Sequence, residues 1–392
     1  MTEVKNVGII GFGMIGKVHA YGYATLPYYL QPLPFSARIT HVVTARADTA
    51  NIAKNVTGAE FASNDFCDVT ENPDIDIVHI CTPNAMHLPP LLSAIRHNKH
   101  IYCDKPMVAN FQEAEQVRFA VKNYTGVSQM TFHTRFFPAV QRAKQLIDRG
   151  KLGRILQFRI IYQNSSNAST QPFKWKHDVT GGVLRDLGSH ALDVADHLVG
   201  PIDRLISDTV IAYPQRRDLQ TGKMRSVFVE DAARVFAHLK NGGTGTIDVT
   251  KLSTGTNNDF RFEIYGDQGA VRFSLESPDI LEYFESGAAD RPFGGETGWL
   301  QIGCYSKFEP PDTDFPAAKN SIGWTRAHTA CLAHFIQCIA AAEQAPTALT
   351  NVNDDPRFLP QHADLMQGYK IECLMQTILD SAQQQKWLPT SL

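Results

Sequence analysis

The stretch Val7–Gly16, which reads VGIIGFGMIG, decides the fold of this chain. A short apolar run enters the pattern G-x-G-x-x-G, and a segment of helical character follows, as in strand–turn–helix units that bind dinucleotides. The first glycine permits a tight turn, the second lets the backbone approach a pyrophosphate, and the third lets the helix pack closely on the strand. Free N–H groups at the helix start attract phosphates. The residues expected to bind a nicotinamide or flavin dinucleotide are Gly11, Phe12, Gly13, Met14, Ile15 and Gly16. The alternative is an incidental glycine turn.

Length, charge and cysteine content limit the class of protein. A chain of 392 residues is long enough for two domains. Lys and Arg number 37 against 40 Asp and Glu, and no basic run occurs, so neither nucleic acid nor a membrane surface is expected as a partner. Seven scattered cysteines without a C-x-x-C pair favour reduced thiols. With no leader pattern and no membrane-spanning stretch, we expect a cytoplasmic protein.

The sequence pattern changes about one third of the way along the chain. Residues 1–133 alternate buried-looking strands with helices, which predicts a doubly wound parallel Rossmann sheet. Later strands are longer and are joined by turn signals such as Asn241-Gly242-Gly243, which is typical of antiparallel pairing. We therefore predict an α+β domain over residues 134–392 with an open, mostly antiparallel sheet. Its C-terminal helices are expected at about residues 325–384.

The end of the second strand bears on cofactor choice. An NAD-preferring fold places an acidic residue there to bind the ribose hydroxyls, but no carboxylate occurs before Asp48. Arg46 could instead pair with a 2′-phosphate and stack on adenine. The alternative is a solvated arginine at a helix start. We expect NADP or NAD as cofactor, with NADP favoured.

Two further predicted strands, at residues 76–81 and 100–103, end in polar motifs. Ligands of open α/β sheets bind outside the carboxyl ends of the strands. Lys105 follows one of these strands, where its charge would stabilise a developing alkoxide on the substrate. The alternatives are a proline-containing turn at residues 82–84 and a surface lysine paired with Asp104. The cofactor-binding candidates at these strand ends are Thr82, Pro83, Asn84, His87, Asp104 and Lys105.

The segment Gly181–Asp193 supplies candidate acid–base groups. Asp186 and His190 are four residues apart, so a helix places them on one face. A histidine with an ordinary pKa of about 6.5 accepts a proton near neutral pH, and a carboxylate can orient it. Asp193 and His197 extend the stripe, but four ligands along one straight helix cannot converge on one ion. No metal is therefore expected.

Taken together, these motifs resemble the glucose–fructose oxidoreductase / inositol dehydrogenase / MocA family. The landmarks, in the family's order, are Gly11–Gly16, Thr82-Pro83-Asn84 with His87, Asp104-Lys105-Pro106, Phe132–Phe136 with Pro138, Gly150–Gly153, and Gly182–Asp193. The resemblance implies a Rossmann domain followed by an α/β domain whose sheet often forms a dimer or tetramer interface. It also implies sugar or cyclitol substrates.

The resemblance assigns roles to three residues. The lysine of the family's Glu-Lys-Pro motif falls on Lys105, and the family's aspartate and histidine fall on Asp186 and His190, the latter as acid/base. Two departures stand out. The family's glutamate is Asp104 here, and Ala45-Arg46 replaces the acidic ribose-binding residue.

We therefore expect an NAD(P)-dependent dehydrogenase or reductase of a sugar, cyclitol or sugar derivative, assembled as a homodimer or homotetramer. Aromatic and polar residues at 173–177 suit stacking and hydrogen bonding to a carbohydrate, or equally the anchoring of a loop. Two other functions stay open: an NAD-dependent glycoside hydrolase using transient oxidation and elimination, and a non-catalytic dinucleotide-binding regulator. The expected substrate-binding residues are Lys105, Trp175, Asp186 and His190.

Overall fold

In the computed structural model of the protein, the described residues form two compact units. The described residues are 4–170, 172–287, 297–304, 323–344 and 362–390. The first unit comprises the described parts of Met1–Phe136 and Ser306–Tyr369, and the second those of Phe137–Tyr305 and Lys370–Leu392. Each unit is built around its own sheet.

The first unit contains a six-stranded parallel sheet in the order β3-β2-β1-β4-β5-β6. Strand β4 is buried along its whole length, as in a sheet covered by helices on both faces. The predicted Rossmann sheet is confirmed. Its elements are β1 (Val4–Ile10), α1 (Met14–Tyr29), β2 (Ser36–Val43), α2 (Ala47–Thr57), β3 (Phe61–Ser63), α3 (Cys67–Thr70), β4 (Ile77–Ile80), α4 (Leu88–Arg96), β5 (His100–Cys103), α5 (Phe111–Ala120) and β6 (Ser128–Met130).

The second unit contains a nine-stranded sheet in the order β16-β15-β14-β13-β7-β12-β11-β8-β17. All neighbouring strands pair antiparallel except β7 and β12, so the predicted mostly antiparallel sheet is confirmed. A separate hairpin joins β9 and β10. The elements from residue 138 onward are α6 (Pro138–Asp148), β7 (Ile155–Gln163), α7 (Ser189–Val199), β8 (Ile202–Val210), β9 (Gln215–Arg217), β10 (Met224–Ser226), β11 (Ala232–Leu239), β12 (Thr244–Thr250), β13 (Asp259–Gly266), β14 (Gly269–Ser274), β15 (Ile280–Glu285), β16 (Leu300–Gly303), α8 (Trp324–Gln344), α9 (Leu365–Gln384) and β17 (Leu388–Pro389).

One face of the nine-stranded sheet packs against helices α6, α7 and α9. The other face carries ion pairs between neighbouring strands, such as Arg159–Glu263 and Arg234–Asp248, and the exposed Phe236. The alternation of buried and polar residues along β7 and β11 produces these two faces.

Helix α8 belongs to the first unit although it follows the second unit's strands in the chain. It packs on α1, where a Cβ at Gly22 would lie 2.9 Å from the Leu332 side chain, and on the turn His133–Phe136. From the sequence we predict one domain over residues 134–392, whereas the compact units divide this range between them. The partition differs because the apolar face of a helix does not reveal which sheet it will cover.

The segment Gly181–Asp193, in which the Asp186–His190 spacing predicts a helix, does not start as a regular helix in the structure. A π-helical turn spans Leu184–Gly188, and α7 continues from Ser189. The buried Glu230 accepts a 2.9 Å hydrogen bond from the Leu184 N–H, and its backbone oxygen accepts another from the Val183 N–H. These tertiary contacts satisfy donors that a regular helix start leaves unpaired.

Candidate active site

The glycine turn after β1 has the shape of a phosphate cradle. Gly11 has φ +93°, and a Cβ there would lie 2.6 Å from the backbone of Cys81. A Cβ at Gly16 would overlap the carbonyl oxygen of Gly11, whereas one at Gly13 would meet no heavy atom within 4 Å. Gly13 therefore faces space that a ligand can enter. Helix α1 starts there with no side-chain cap and no acidic residue in its first turn, so its N–H groups suit a pyrophosphate.

The strand ends beside this cradle are tied together by His87. Its buried ring contacts the carbonyl oxygen of Thr82 at 2.7 Å through Nε2 and that of Met107 at 3.1 Å through Nδ1. His87 thus holds the turns after β4 and β5, which gives this predicted cofactor residue a supporting position. The Thr82 hydroxyl is buried and has no hydrogen-bond partner among the described residues. That hydroxyl is a polar group that a bound ligand could satisfy.

Lys105 lies in the turn that follows β5, half-buried, before a cis Pro106. The backbone of this turn is fixed by a 2.9 Å hydrogen bond from the Asp104 N–H to the Ile80 carbonyl. His328 on α8 lies within electrostatic reach of Lys105. Burial is the main cause that holds the pKa of His328 well below its usual 6.5, and the nearby Lys105 lowers it further.

In the second unit, Asp186 is held by two lysines. Lys176 Nζ lies 2.8 Å from each carboxylate oxygen of Asp186, and Lys251 Nζ lies 2.9 Å from Oδ2. Lys251 is almost fully buried, whereas Lys176 is partly exposed. A buried ammonium is costly unless a carboxylate compensates it, and Asp186 is the carboxylate that contacts the buried Lys251.

His190 stands in the first turn of α7, buried beside Tyr162 of β7. The two ring centres are 6.1 Å apart. Burial, reinforced by the charge of Asp186, raises the pKa of Tyr162 to about 12, so this hydroxyl stays protonated at neutral pH. The second unit thus brings Asp186, His190 and Tyr162 into one polar cluster.

The comparisons with known proteins agree with this fold and these motifs. A family model described as "Oxidoreductase family, NAD-binding Rossmann fold" matches residues 5–132, and the GFO/IDH/MocA C-terminal domain matches residues 140–272. Levoglucosan dehydrogenase of Pseudarthrobacter phenanthrenivorans is 32% identical over 304 residues, which cover 73% of this chain and 78% of that protein. The chain belongs to the GFO/IDH/MocA oxidoreductase family.

Other members of the family extend the comparison. Myo-inositol 2-dehydrogenase of Thermotoga maritima is 24% identical over 68% of this chain and 74% of that protein. A solved structure of levoglucosan dehydrogenase in complex with NADH and L-sorbose superposes with a TM-score of 0.87, at 28% identity and 99% coverage of both chains. The protein is therefore an NAD-binding oxidoreductase of the family that includes these sugar and cyclitol dehydrogenases.

Arg46, the predicted contact for a cofactor 2′-phosphate, pairs with a carboxylate of its own chain. Its guanidinium donates to both oxygens of Asp48, at 3.0 Å from Nε and 3.3 Å from Nη2, and both side chains are largely exposed. Hydrogen bonds from Arg46 and the Thr49 backbone lower the pKa of Asp48, which is consequently ionised at neutral pH. A 2′-phosphate would have to compete with this carboxylate for Arg46.

The segment at residues 173–177 is partly occupied by protein contacts. The Arg225 guanidinium lies 3.8 Å from the centre of the Phe173 ring. The buried His177 accepts a hydrogen bond from the Lys174 N–H and contacts Asn167, so it anchors the loop. The Lys176 ammonium group donates a hydrogen bond to the Asp186 carboxylate. The side chain of Trp175 lies outside the described part of the structure.

The sequence pattern does not indicate Lys251 or His328 as site residues. Lys251 follows β12 and reaches Asp186 only because β12 pairs with β7, which places both near the start of α7. His328 approaches Lys105 only through the return of α8 to the first unit. Neither residue carries a local motif, so only the tertiary structure reveals them.

Proposed function

We propose that this protein is an NAD(P)-dependent dehydrogenase or reductase that acts on a CH–OH group of a sugar, cyclitol or sugar derivative. The observation that carries the proposal is the Asp186 carboxylate held by Lys176 and the buried Lys251, one turn before His190. A buried ammonium is costly unless a carboxylate compensates it, so this arrangement holds the Asp186 carboxylate in a fixed position beside the start of α7.

Each residue in the proposal has a distinct chemical role. The bound nicotinamide supplies or accepts the hydride. His190 takes the proton from the substrate hydroxyl during oxidation and returns it during reduction. Lys105 donates a hydrogen bond to the reacting oxygen and stabilises its negative charge. Asp186, fixed by its two lysines, orients His190 or a neighbouring substrate hydroxyl.

We further propose that both NADP and NAD are accepted, with NADP favoured. The absence of an acidic residue at the end of β2 and the position of Arg46 support this preference. The pairing of Arg46 with Asp48 opposes a preference for NADP, but exposed ion pairs are weak and exchange readily. The proposed cofactor contacts are the glycine cradle, Arg46 and the turns at residues 82–84 and 104–105.

The open face of the nine-stranded sheet is the proposed surface for self-association into a dimer or tetramer. It presents the exposed Phe236 among charged pairs that a second copy could cover. A monomer at micromolar concentration in analytical ultracentrifugation would contradict this assignment.

Variants of Lys105 and His190 test the catalytic assignment. We expect Lys105→Met and His190→Asn each to lower kcat by about 10²–10⁴-fold, because each removes a group that acts on the reacting oxygen or its proton. NADH and NADPH affinity, measured by fluorescence titration, should stay near the wild-type value. His197→Asn, in the same helix as His190, is the matched control and should keep kcat. Full activity in either catalytic variant would overturn the assignment.

The glycoside hydrolase alternative has its own readout. The named dehydrogenases among its relatives favour net oxidation over hydrolysis. Release of free sugar from a glycoside without added cofactor, and with no net change in nicotinamide absorbance, would instead support the hydrolase.

A further inference from the structure

A cluster of three metal-ligating side chains lies in the first unit, apart from the residues assigned to catalysis. His334 and Cys338 are one helical turn apart on α8, and His362 lies just before α9. All three side chains are buried, and their ligand atoms lie within 4.8 Å of one another. Two imidazoles and one thiol form a donor set typical of zinc or monovalent copper.

The spacing of these atoms agrees with coordination of a common ion. His334 Nε2 lies 3.4 Å from Cys338 Sγ, and His362 Nδ1 lies 3.7 Å from the same sulfur. Tetrahedral zinc with its usual Zn–S and Zn–N bond lengths separates a sulfur and a nitrogen ligand by about 3.6 Å. Both sulfur–nitrogen distances fall within about 0.2 Å of that value.

A second histidine–cysteine cluster in the same unit provides a contrast. Cys81 Sγ lies 3.0 Å from His19 Nδ1, which is also 3.1 Å from His79 Nδ1. The sulfur–nitrogen distance is about 0.6 Å shorter than tetrahedral zinc requires. Tyr23 also contacts His79 Nε2 at 2.8 Å, so this cluster forms a hydrogen-bonded chain. It is not proposed as a metal site.

The charge around His334, Cys338 and His362 allows the ligating forms. Burial lowers the pKa of His334 to about 3 and that of His362 to about 4, so both imidazoles are neutral at pH 7 with a lone pair available. Arg135 donates a 3.2 Å hydrogen bond to the His362 carbonyl, and the nearby Asp364 charge opposes the guanidinium's effect on His362. A thiolate at Cys338 would neutralise a monovalent ion fully and a divalent ion in part.

We propose that His334, Cys338 and His362 form a three-ligand binding site for a thiophilic closed-shell metal ion, either Zn²⁺ or Cu⁺. The bound ion fastens α8 to the segment that precedes α9. Binding releases the Cys338 proton to solvent and requires no change in oxidation state of the metal.

Metal retention by the full chain tests this site. Chelator-treated protein is incubated separately with Zn²⁺, with Cu⁺ under anaerobic reducing conditions, and with Co²⁺ as a spectroscopic probe. It is then desalted and analysed by mass spectrometry for metal content. We expect retention of about one Zn²⁺ or Cu⁺ ion per chain and a higher thermal unfolding midpoint. Cobalt should give a thiolate-to-metal charge-transfer band.

The variants assign the signal to these ligands. Cys338→Ala and His362→Gln should abolish the retention, the cobalt band and the stabilisation. Cys331→Ala, a buried cysteine on the same helix, is the matched control and should keep all three. Retention of Zn²⁺ alone or Cu⁺ alone identifies the ion and supports the site. Retention of neither ion, or equal retention in wild type and His362→Gln, overturns it. None of these readouts depends on dehydrogenase activity.

Discussion

The pairing of Asp186 with a buried lysine predicts a large loss of stability when the carboxylate alone is removed. In Asp186→Asn, the Lys251 side chain, which is 3% exposed in the wild type, loses this carboxylate partner. Removing one partner of a buried ion pair costs about 3–5 kcal/mol because the other charge is left uncompensated. We therefore expect a decrease of about 3 kcal/mol in the free energy of unfolding, at the lower end of that range because Asp186 is partly exposed.

Two further variants isolate the cause. Lys251→Met removes the buried charge itself and leaves Asp186 with Lys176, so it should cost less than Asp186→Asn. The double variant Asp186→Asn/Lys251→Met removes both charges of this pair, and its loss should be smaller than the sum of the single losses by about 2 kcal/mol. Lys176→Met is the matched control. Lys176 contacts the same carboxylate at 2.8 Å, but its side chain is 43% exposed, so the loss should be about 0–1 kcal/mol.

Urea unfolding followed by circular dichroism measures these differences, and hydrogen exchange of α7 and β12 localises them to the second unit. Equal losses in Asp186→Asn and Lys176→Met would refute the reasoning. So would strict additivity in the double variant, because the coupling would then be absent.

Three other predictions concern specificity, pH and acid stability. Arg46→Ala should lower kcat/KM for NADP more than for NAD, and Asp48→Asn should raise the ratio of kcat/KM for NADP to that for NAD. Steady-state kinetics with both cofactors measure these ratios. Unchanged ratios would show that Arg46 does not contact the cofactor. With His190 as the base, kcat/KM for alcohol oxidation should fall at low pH because this base becomes protonated. His190→Asn should lose that acid limb of the profile. An identical profile in the variant would contradict the role of His190 as the base. Contacts with His100 and Lys5 hold the pKa of Glu343 at about 2, so its contribution to stability is full above its unfolded pKa of about 4.3 and is lost as the pH falls toward 2. Glu343→Gln should therefore flatten the acid limb of stability between about pH 4 and pH 2 in denaturant titrations, and an unaltered limb would exclude this group.

Local sequence signals sufficed for the parts of the molecule that depend on neighbouring residues. The glycine cradle is one such part, because a tight turn, a close backbone contact and an open approach each require glycine at a fixed offset. The buried strands β4 and β5 are another, since a continuous apolar run between turn signals is typical of a parallel sheet.

The remaining features depend on contacts between distant parts of the chain. The π-helical turn before α7 is stabilised by Glu230, which accepts a hydrogen bond from its backbone. A local helical pattern in the sequence cannot show a contact with a residue so distant in the chain. Lys251 had no local signal, because only the pairing of β12 with β7 carries it to Asp186. The position of α8 in the first unit was equally hidden. Strand register and helix docking, which local patterns do not specify, account for these differences.

Oxidation of a sugar or cyclitol hydroxyl by a nicotinamide cofactor can be tested with a panel of anhydrosugars, free sugars, cyclitols and sugar acids. The reaction is followed at the nicotinamide absorbance with NAD and NADP in parallel. We expect reduction of cofactor with at least one polyhydroxylated ring substrate, and loss of that signal in Lys105→Met and His190→Asn. Binding of NADH or NADPH without turnover of any panel member in either direction would contradict it.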